Sequence, residues 1–298
     1  MDTLIILSPL VVGYFIKITA PQWLHRINHS LTLMIYLILL LMGMNLAGLD
    51  NLQTELSTLI GVTSVLVGLT LMANLLALPL VDKWLPLAIE PPQQASNTLA
   101  LMRESIRLAA VVAAGFCLGL LVSFSSHALD QAAMAILMAI LLLIGMQMRA
   151  SKISFRQILL SPRGLAIAAF ILLSSLVAGA LTALCFNFPI HHGLALASGL
   201  GWYSLSGALI SQELGPLMGS IAFLADLSRE LIAIVLIPLL MPRAPATAIG
   251  YGGATAMDFT LPIIQKSGGA STVPVAIVSG FLLSMAGPIL IPLFLSWS

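Results

Sequence analysis

Apolar runs long enough to cross a bilayer recur along the whole chain, separated by short polar clusters. Eight are clear, near residues 3–19, 31–49, 56–81, 104–126, 131–149, 164–186, 217–241 and 271–296. A bilayer core about 30 Å thick needs about 20 apolar residues in a helix, and within it only helices and closed barrels satisfy their own backbone. The pattern therefore predicts an all-α polytopic membrane protein. Two further apolar stretches, 190–212 and 245–266, are rich in glycine and hydroxyl residues. They are too interrupted for ordinary lipid-facing helices and are expected as broken or re-entrant segments. The alternative lets both cross, giving ten helices in an inverted five-plus-five repeat.

The chain reads as one transporter domain, with repeat-like parts at 1–103 and 104–186 and a broken-helix and charged-span region at 187–298. Leu39–Asn45 (LLLMGMN) recurs as Leu141–Gln147 (LLLIGMQ), each closing its span on a carboxamide. The two copies lie three spans apart and so point in opposite directions, the mark of an inverted repeat. A second echo joins the Gly-rich stretches: Gly199, Gly201 and Ser204 align with Gly250, Gly252 and Thr255. Such residues at membrane depth suit a helix that breaks and exposes its N–H and C=O groups, or else close helix packing.

Basic residues set the expected orientation. Lys17 and Arg26 follow the first span, Lys83, Arg103 and Arg107 flank the third loop, and Arg149, Lys152, Arg156 and Arg163 crowd the fifth. The second and fourth loops carry Asp50, Glu55 and Asp130 without Lys or Arg. The positive-inside rule then places both termini outside. Asp2 stands where a signal peptide would be basic, so the first run is read as a retained span.

Composition narrows the function. The chain is 59% hydrophobic and 8% charged with a net charge of +1, which gives no support for nucleic-acid binding. Cys117 and Cys185 sit within apolar runs and read as core residues. No phosphate-binding G-x-x-x-x-G-K loop is present, so ATP is not the direct energy source, and no H-E-x-x-H metalloprotease motif occurs. His191 and His192 lack a third metal ligand in view and read as interfacial. A serine protease at Ser204 or Ser206 lacks a later histidine to act as base. A gradient-coupled carrier leads, ahead of a channel or an intramembrane protease. No cofactor or metal is expected.

The chemistry concentrates between Met218 and Met241, where Asp226, Arg229 and Glu230 interrupt an apolar span. Each ionised group at a helix centre costs roughly 2.5–3.5 kcal/mol on insertion scales, so three together cost about 8–10 kcal/mol unless compensated. Their i, i+3 and i+4 spacing puts them on one face, where Arg229 can pair with a carboxylate. The negative excess favours a cationic substrate. Glu230 and Asp226 are the first candidates for binding substrate or proton. Asp258, which follows a Gly-rich break, either caps freed backbone or binds. Asp50, Asn45, Gln147, Ser204, Ser206 and Thr255 complete the candidates, with Arg229 as counter-charge.

Three blocks then carry a resemblance: Gly201-Trp-Tyr-Ser-Leu-Ser-Gly207, Asp226-Leu-Ser-Arg-Glu-Leu-Ile-Ala-Ile234 and Gly253-Ala-Thr-Ala-Met-Asp-Phe-Thr-Leu-Pro262. With Tyr36–Leu39 through Leu49–Leu52, they make the chain similar over its length to the bacterial lysine exporter (LysO) family. The resemblance implies export of L-lysine and its analogue thialysine across the bacterial inner membrane. It also implies dependence on intramembrane acids, matching Glu230 and Asp50. The mechanism expected from it is antiport with protons or sodium. Glu230 and Asp226, or Asp258, hold an ammonium group, and freed N–H groups at Gly199–Gly207 or Gly250–Asp258 take the carboxylate.

Overall fold

The computed structural model describes residues 3–16, 21–48, 52–87, 89, 98–122, 126–150 and 161–297, and every regular element among them is helical. Long helices come first: α1 (Thr3–Phe15), α2 (Pro21–Ala47), α3 (Leu52–Trp84), α4 (Thr98–Leu121), α5 (Ser126–Ala150) and α6 (Pro162–Phe186). The first Gly-rich stretch forms two half-helices, α7 (Ile190–Ala197) and α8 (Tyr203–Leu214), and α9 (Pro216–Leu240) follows. The second forms α10 (Pro245–Tyr251), a 3-10 turn at Gly253–Met257 and α11 (Leu261–Gly268), before α12 (Val273–Leu295) ends the fold. The windows His25–Ala47, Glu55–Trp84, Pro162–Phe186 and Val273–Leu295 are each long and apolar enough to cross a bilayer. Helix α9 has the length as well, but carries three charges.

Both Gly-rich stretches return to the face they entered by. Phe186, at the end of α6, lies against Gly61 in the first third of α3, so α7 starts on that side. Helix α8 runs back toward it: Gly207 touches Met42 near the end of α2, and Ser211, further along, lies against Gly219 near the start of α9. On the opposite face, α10 starts at Asp82, in the last turn of α3. Val278, early in α12, packs on Gly164 at the start of α6, so α11 ends on that same face. Among the described residues, each Gly-rich stretch therefore enters and leaves by one face of the helix bundle. Lys83, Arg163, Arg243 and Lys266, all exposed, share one face, and Glu213 lies on the other.

The internal echo has a packing counterpart. A Cβ on Gly13 would run into the Leu142 carbonyl, and a Cβ on Gly115 into the Leu40 carbonyl. Gly13 and Gly115, like Leu40 and Leu142, stand 102 positions apart, as do Leu39 and Leu141 of the repeated motif. Helix α1 thus packs on α5 as α4 packs on α2, the reciprocity that two inverted copies require. Small residues let these backbones approach closely, which in a bilayer replaces the hydrophobic drive. Gly13→Val and Gly115→Val should therefore lower the melting temperature of detergent-purified protein by similar amounts. Overpacking against a carbonyl that cannot swing away costs about 1–3 kcal/mol. Gly68→Ala, where a Cβ meets open space, should not lower it.

Two apolar clusters make the core. One gathers α2, α5 and α8 with the first half of α9, through Leu39, Leu141, Leu205 and Phe223. The other gathers α6, α10, α11 and α12 with the second half of α9, through Ile171, Ile234, Ile249 and Ile263. Asp226, Arg229 and Glu230 fall where α9 passes from one cluster to the other. The charges occupy a seam, not the lipid surface.

Candidate functional site

Each half-helix that ends inside the bundle leaves orphan backbone groups, N–H at an N-terminus and C=O at a C-terminus. The two breaks meet: the Leu200 carbonyl accepts the Ala254 N–H at 2.9 Å. To reach that contact Leu200 takes a left-handed φ of 55°, and Gly201 and Gly253 take φ of 99° and 62°. Left-handed backbone costs about 1–2 kcal/mol for a residue with a Cβ, so glycine at the two flanking positions keeps the strain to Leu200.

Asp226 sits over the start of α8. Its Oδ1 accepts the Gly201 N–H at 2.8 Å and its Oδ2 accepts the Ser206 hydroxyl at 2.6 Å. Gly199 must be glycine beside it, because a Cβ there would overlap Oδ2. Arg229 sits at the other kind of end, the C-terminus of α10. Its Nε donates to the Tyr251 carbonyl at 3.2 Å and its Nη2 to the Gly250 carbonyl at 3.5 Å. Nη1 donates to Ser175 Oγ on α6 at 3.4 Å, and the guanidinium lies 5.6 Å from the Tyr251 ring centroid.

The acid thus lies at the positive end of one half-helix and the base at the negative end of the other. Sequence spacing led us to expect Arg229 paired with a carboxylate. Among the described residues, its hydrogen bonds go to two carbonyls and a hydroxyl, because the broken α10 presents orphan acceptors at that depth. Glu230 is 2% exposed on the same face. A cleft beside Asp226 and Arg229 is lined by both, with Thr70 of α3, Leu196 and Ala197 of α7, and Tyr251.

The other candidates divide. Ser206 and Ser204 are buried in the first turn of α8, Ser206 on Asp226. Thr255 is buried in the second break, donating to the Gly252 carbonyl at 2.8 Å, so it holds the break closed. Asp258 stands apart: its residue is exposed, and Oδ1 accepts the neighbouring Phe259 N–H at 2.5 Å. Asn45 is half-buried near the end of α2. Asp50 and the Gln147 side chain lie outside the described residues. His191 and His192 contact edge to face, and no metal-binding cluster of His, Cys, Asp or Glu occurs among the described residues.

Sequence reasoning passed over three residues. Asp82 accepts the Ala246 N–H at 2.7 Å, the Thr247 N–H at 3.0 Å and the Thr247 hydroxyl at 2.6 Å, capping α10 from another helix. The signal was available: an acid in the last turn of a helix opposes its dipole and calls for a partner. Asp82→Ala should destabilise the protein by about 1 kcal/mol, as for a lost N-cap, visible as a lower melting temperature in detergent. Asn74 and Ser175 are buried polar groups inside apolar spans, unnoticed because they carry no charge.

Comparison with known proteins follows the same residues. A family model described as "Lysine exporter LysO" matches residues 109–295, spanning α6–α12 and the whole seam. The chain is 44% identical over 293 residues to the "Lysine exporter LysO" of Escherichia coli (strain K12), covering 98% of both chains. It is 42% identical over 190 residues to a "Putative lysine exporter" of Haemophilus influenzae, covering 64% of this chain and 97% of that one. No solved structure matches. With a family model over more than half its length and a near-full-length relative at this identity, the chain belongs to the lysine exporter LysO family of membrane transporters.

Proposed function

We propose that this protein exports L-lysine, and analogues such as thialysine, from the cytoplasm across the bacterial inner membrane in exchange for protons. The observation that carries it is the seam itself, where two carboxylates of α9 are buried between the apolar clusters at the meeting of two broken segments. Intramembrane acids of this kind mark ion and substrate paths. Sites where discontinuous helices meet inside the bundle are where secondary transporters bind. The relatives named as lysine exporters supply the substrate.

In this reading the basic face, with Lys83, Arg163, Arg243 and Lys266, is cytoplasmic, and both termini lie outside. Lysine enters the cleft from that face, and an ammonium group is held by Glu230 through charge-assisted hydrogen bonds, with Asp226 adding negative potential. Asp226, already bonded to Gly201 and Ser206, also couples α9 to the first break, so a change in its charge is felt where the re-entrant segments touch. Outward switching releases lysine. A proton then neutralises Glu230 and allows the empty carrier to return, because proton and ammonium compete for one carboxylate. Asp50 is proposed as a second required acid on the outer side.

Growth tests this directly. A bacterial strain lacking its own lysine exporter and sensitive to thialysine should become resistant when this chain is expressed. Unchanged sensitivity, with the protein detected in the membrane, would contradict export of this substrate class.

A further inference from the structure

Asn74 lies in α3, fully buried, one turn from Thr70 on the same helix face, and Thr70 lines the cleft. Ser174 of α6 donates its hydroxyl to Asn74 Oδ1 at 2.6 Å. The same hydroxyl also lies 2.6 Å from the Phe170 carbonyl, and Asn74 Nδ2, with two N–H donors, has no hydrogen-bond partner. Buried polar groups are almost always bonded, so an orphaned donor one helix turn from the cleft points to an acceptor that comes and goes. The next residue, Ser175, accepts from Arg229 Nη1. Asn74 and the guanidinium therefore flank one pair of serines, across α3, α6 and α9. A guanidinium has five N–H donors, and its hydrogen bonds here leave it able to donate further.

The cluster is thus a set of donors with one positive charge, the complement of a carboxylate. The acids of the seam are the complement of an ammonium. We propose that Asn74 Nδ2, Arg229 and Ser175 form the subsite for the α-carboxylate of the exported amino acid, which makes Asn74 the residue that separates lysine from diamines. This goes further than the freed backbone amides: Gly201 N–H is already engaged by Asp226 and Ala254 N–H by Leu200. The assignment rests on the export reading above.

The test uses purified full-length protein, with binding of radiolabelled lysine competed by 1,5-diaminopentane, which is lysine without its carboxylate. For the wild type, lysine should bind at least tenfold tighter than the diamine. Asn74→Leu should weaken lysine about tenfold while shifting the diamine less than twofold, so that discrimination collapses. Asn74→Asp, which turns a donor into a negative charge, should weaken lysine further and leave the diamine bound as well or better. Equal weakening of both ligands in Asn74→Leu, or wild-type lysine affinity in Asn74→Asp, overturns the assignment alone. Wild-type protein that binds no lysine overturns the export reading with it. Asn74→Ser, smaller and still polar, serves if the leucine variant does not fold, with the same discrimination as its readout.

Discussion

Glu230→Gln should reduce lysine efflux at least 30-fold while the variant accumulates in the membrane at the wild-type level. Glutamine keeps the shape and most of the hydrogen bonding of glutamate but cannot carry its charge or take up a proton. Removing one member of a buried, hydrogen-bonded charge pair costs about 2–5 kcal/mol, and each 1.4 kcal/mol is a factor of ten. Glutamine is nearly isosteric and takes away only the charge of a residue 2% exposed, so accumulation at the wild-type level separates a transport defect from a folding one. Efflux from cells preloaded with radiolabelled lysine, normalised to immunodetected protein, measures the effect. Wild-type efflux from this variant would remove Glu230 from the transport cycle.

Arg229→Met should act on the fold as strongly as Glu230→Gln acts on transport. Methionine fills similar volume, but the Gly250 and Tyr251 carbonyls lose their donors at the buried end of α10, and Asp226 loses its nearby positive charge. Breaking such a buried arrangement by deleting one partner costs about 3–5 kcal/mol. Arg229→Lys should fall between, because an ammonium cannot reach two carbonyls and a serine at once as the planar fork does. Thermal unfolding in detergent, followed by monodispersity, would show the order wild type, lysine, methionine. Equal stability of all three would mean that the half-helix ends are satisfied some other way.

Much of this architecture is legible in the sequence because a bilayer leaves the chain few choices. Apolar run length marks the long helices, and the interrupted Gly-rich stretches read as broken segments, whose ends the contacts of Asp82 and Val278 place on one face for the second stretch. The LLLMGMN echo, a short motif in a leucine-rich chain, gains force from the reciprocal packing of Gly13 and Gly115. The candidate site is legible where charge marks it, at Asp226, Arg229 and Glu230, whose burial follows from their cost in lipid.

What the sequence hid is pairing across distance. Arg229 and Asp226 are near enough to interact electrostatically, as their spacing suggests, but each hydrogen-bonds to the end of a half-helix, because spacing along one helix says nothing of what two breaks present to it. Asp258 reads from the sequence as either a cap on freed backbone or a site, and it accepts the N–H of its neighbour Phe259 at an exposed position. Asp82 left a local mark, an acid in the last turn of α3, but its partners lie 164 and 165 residues away. Asn74 and Ser175 were invisible for the opposite reason: their partners are 100 and 54 residues away, and no local pattern announces them.

The central claim is that a proton and lysine take turns on the same buried acid. Lysine release from proteoliposomes loaded with radiolabelled lysine, under imposed pH or sodium gradients, tests it most directly. We expect an acidic exterior to accelerate release and a sodium gradient alone to leave it unchanged, with the acceleration lost in Glu230→Gln. Release that runs at one rate with or without a pH gradient would contradict the account.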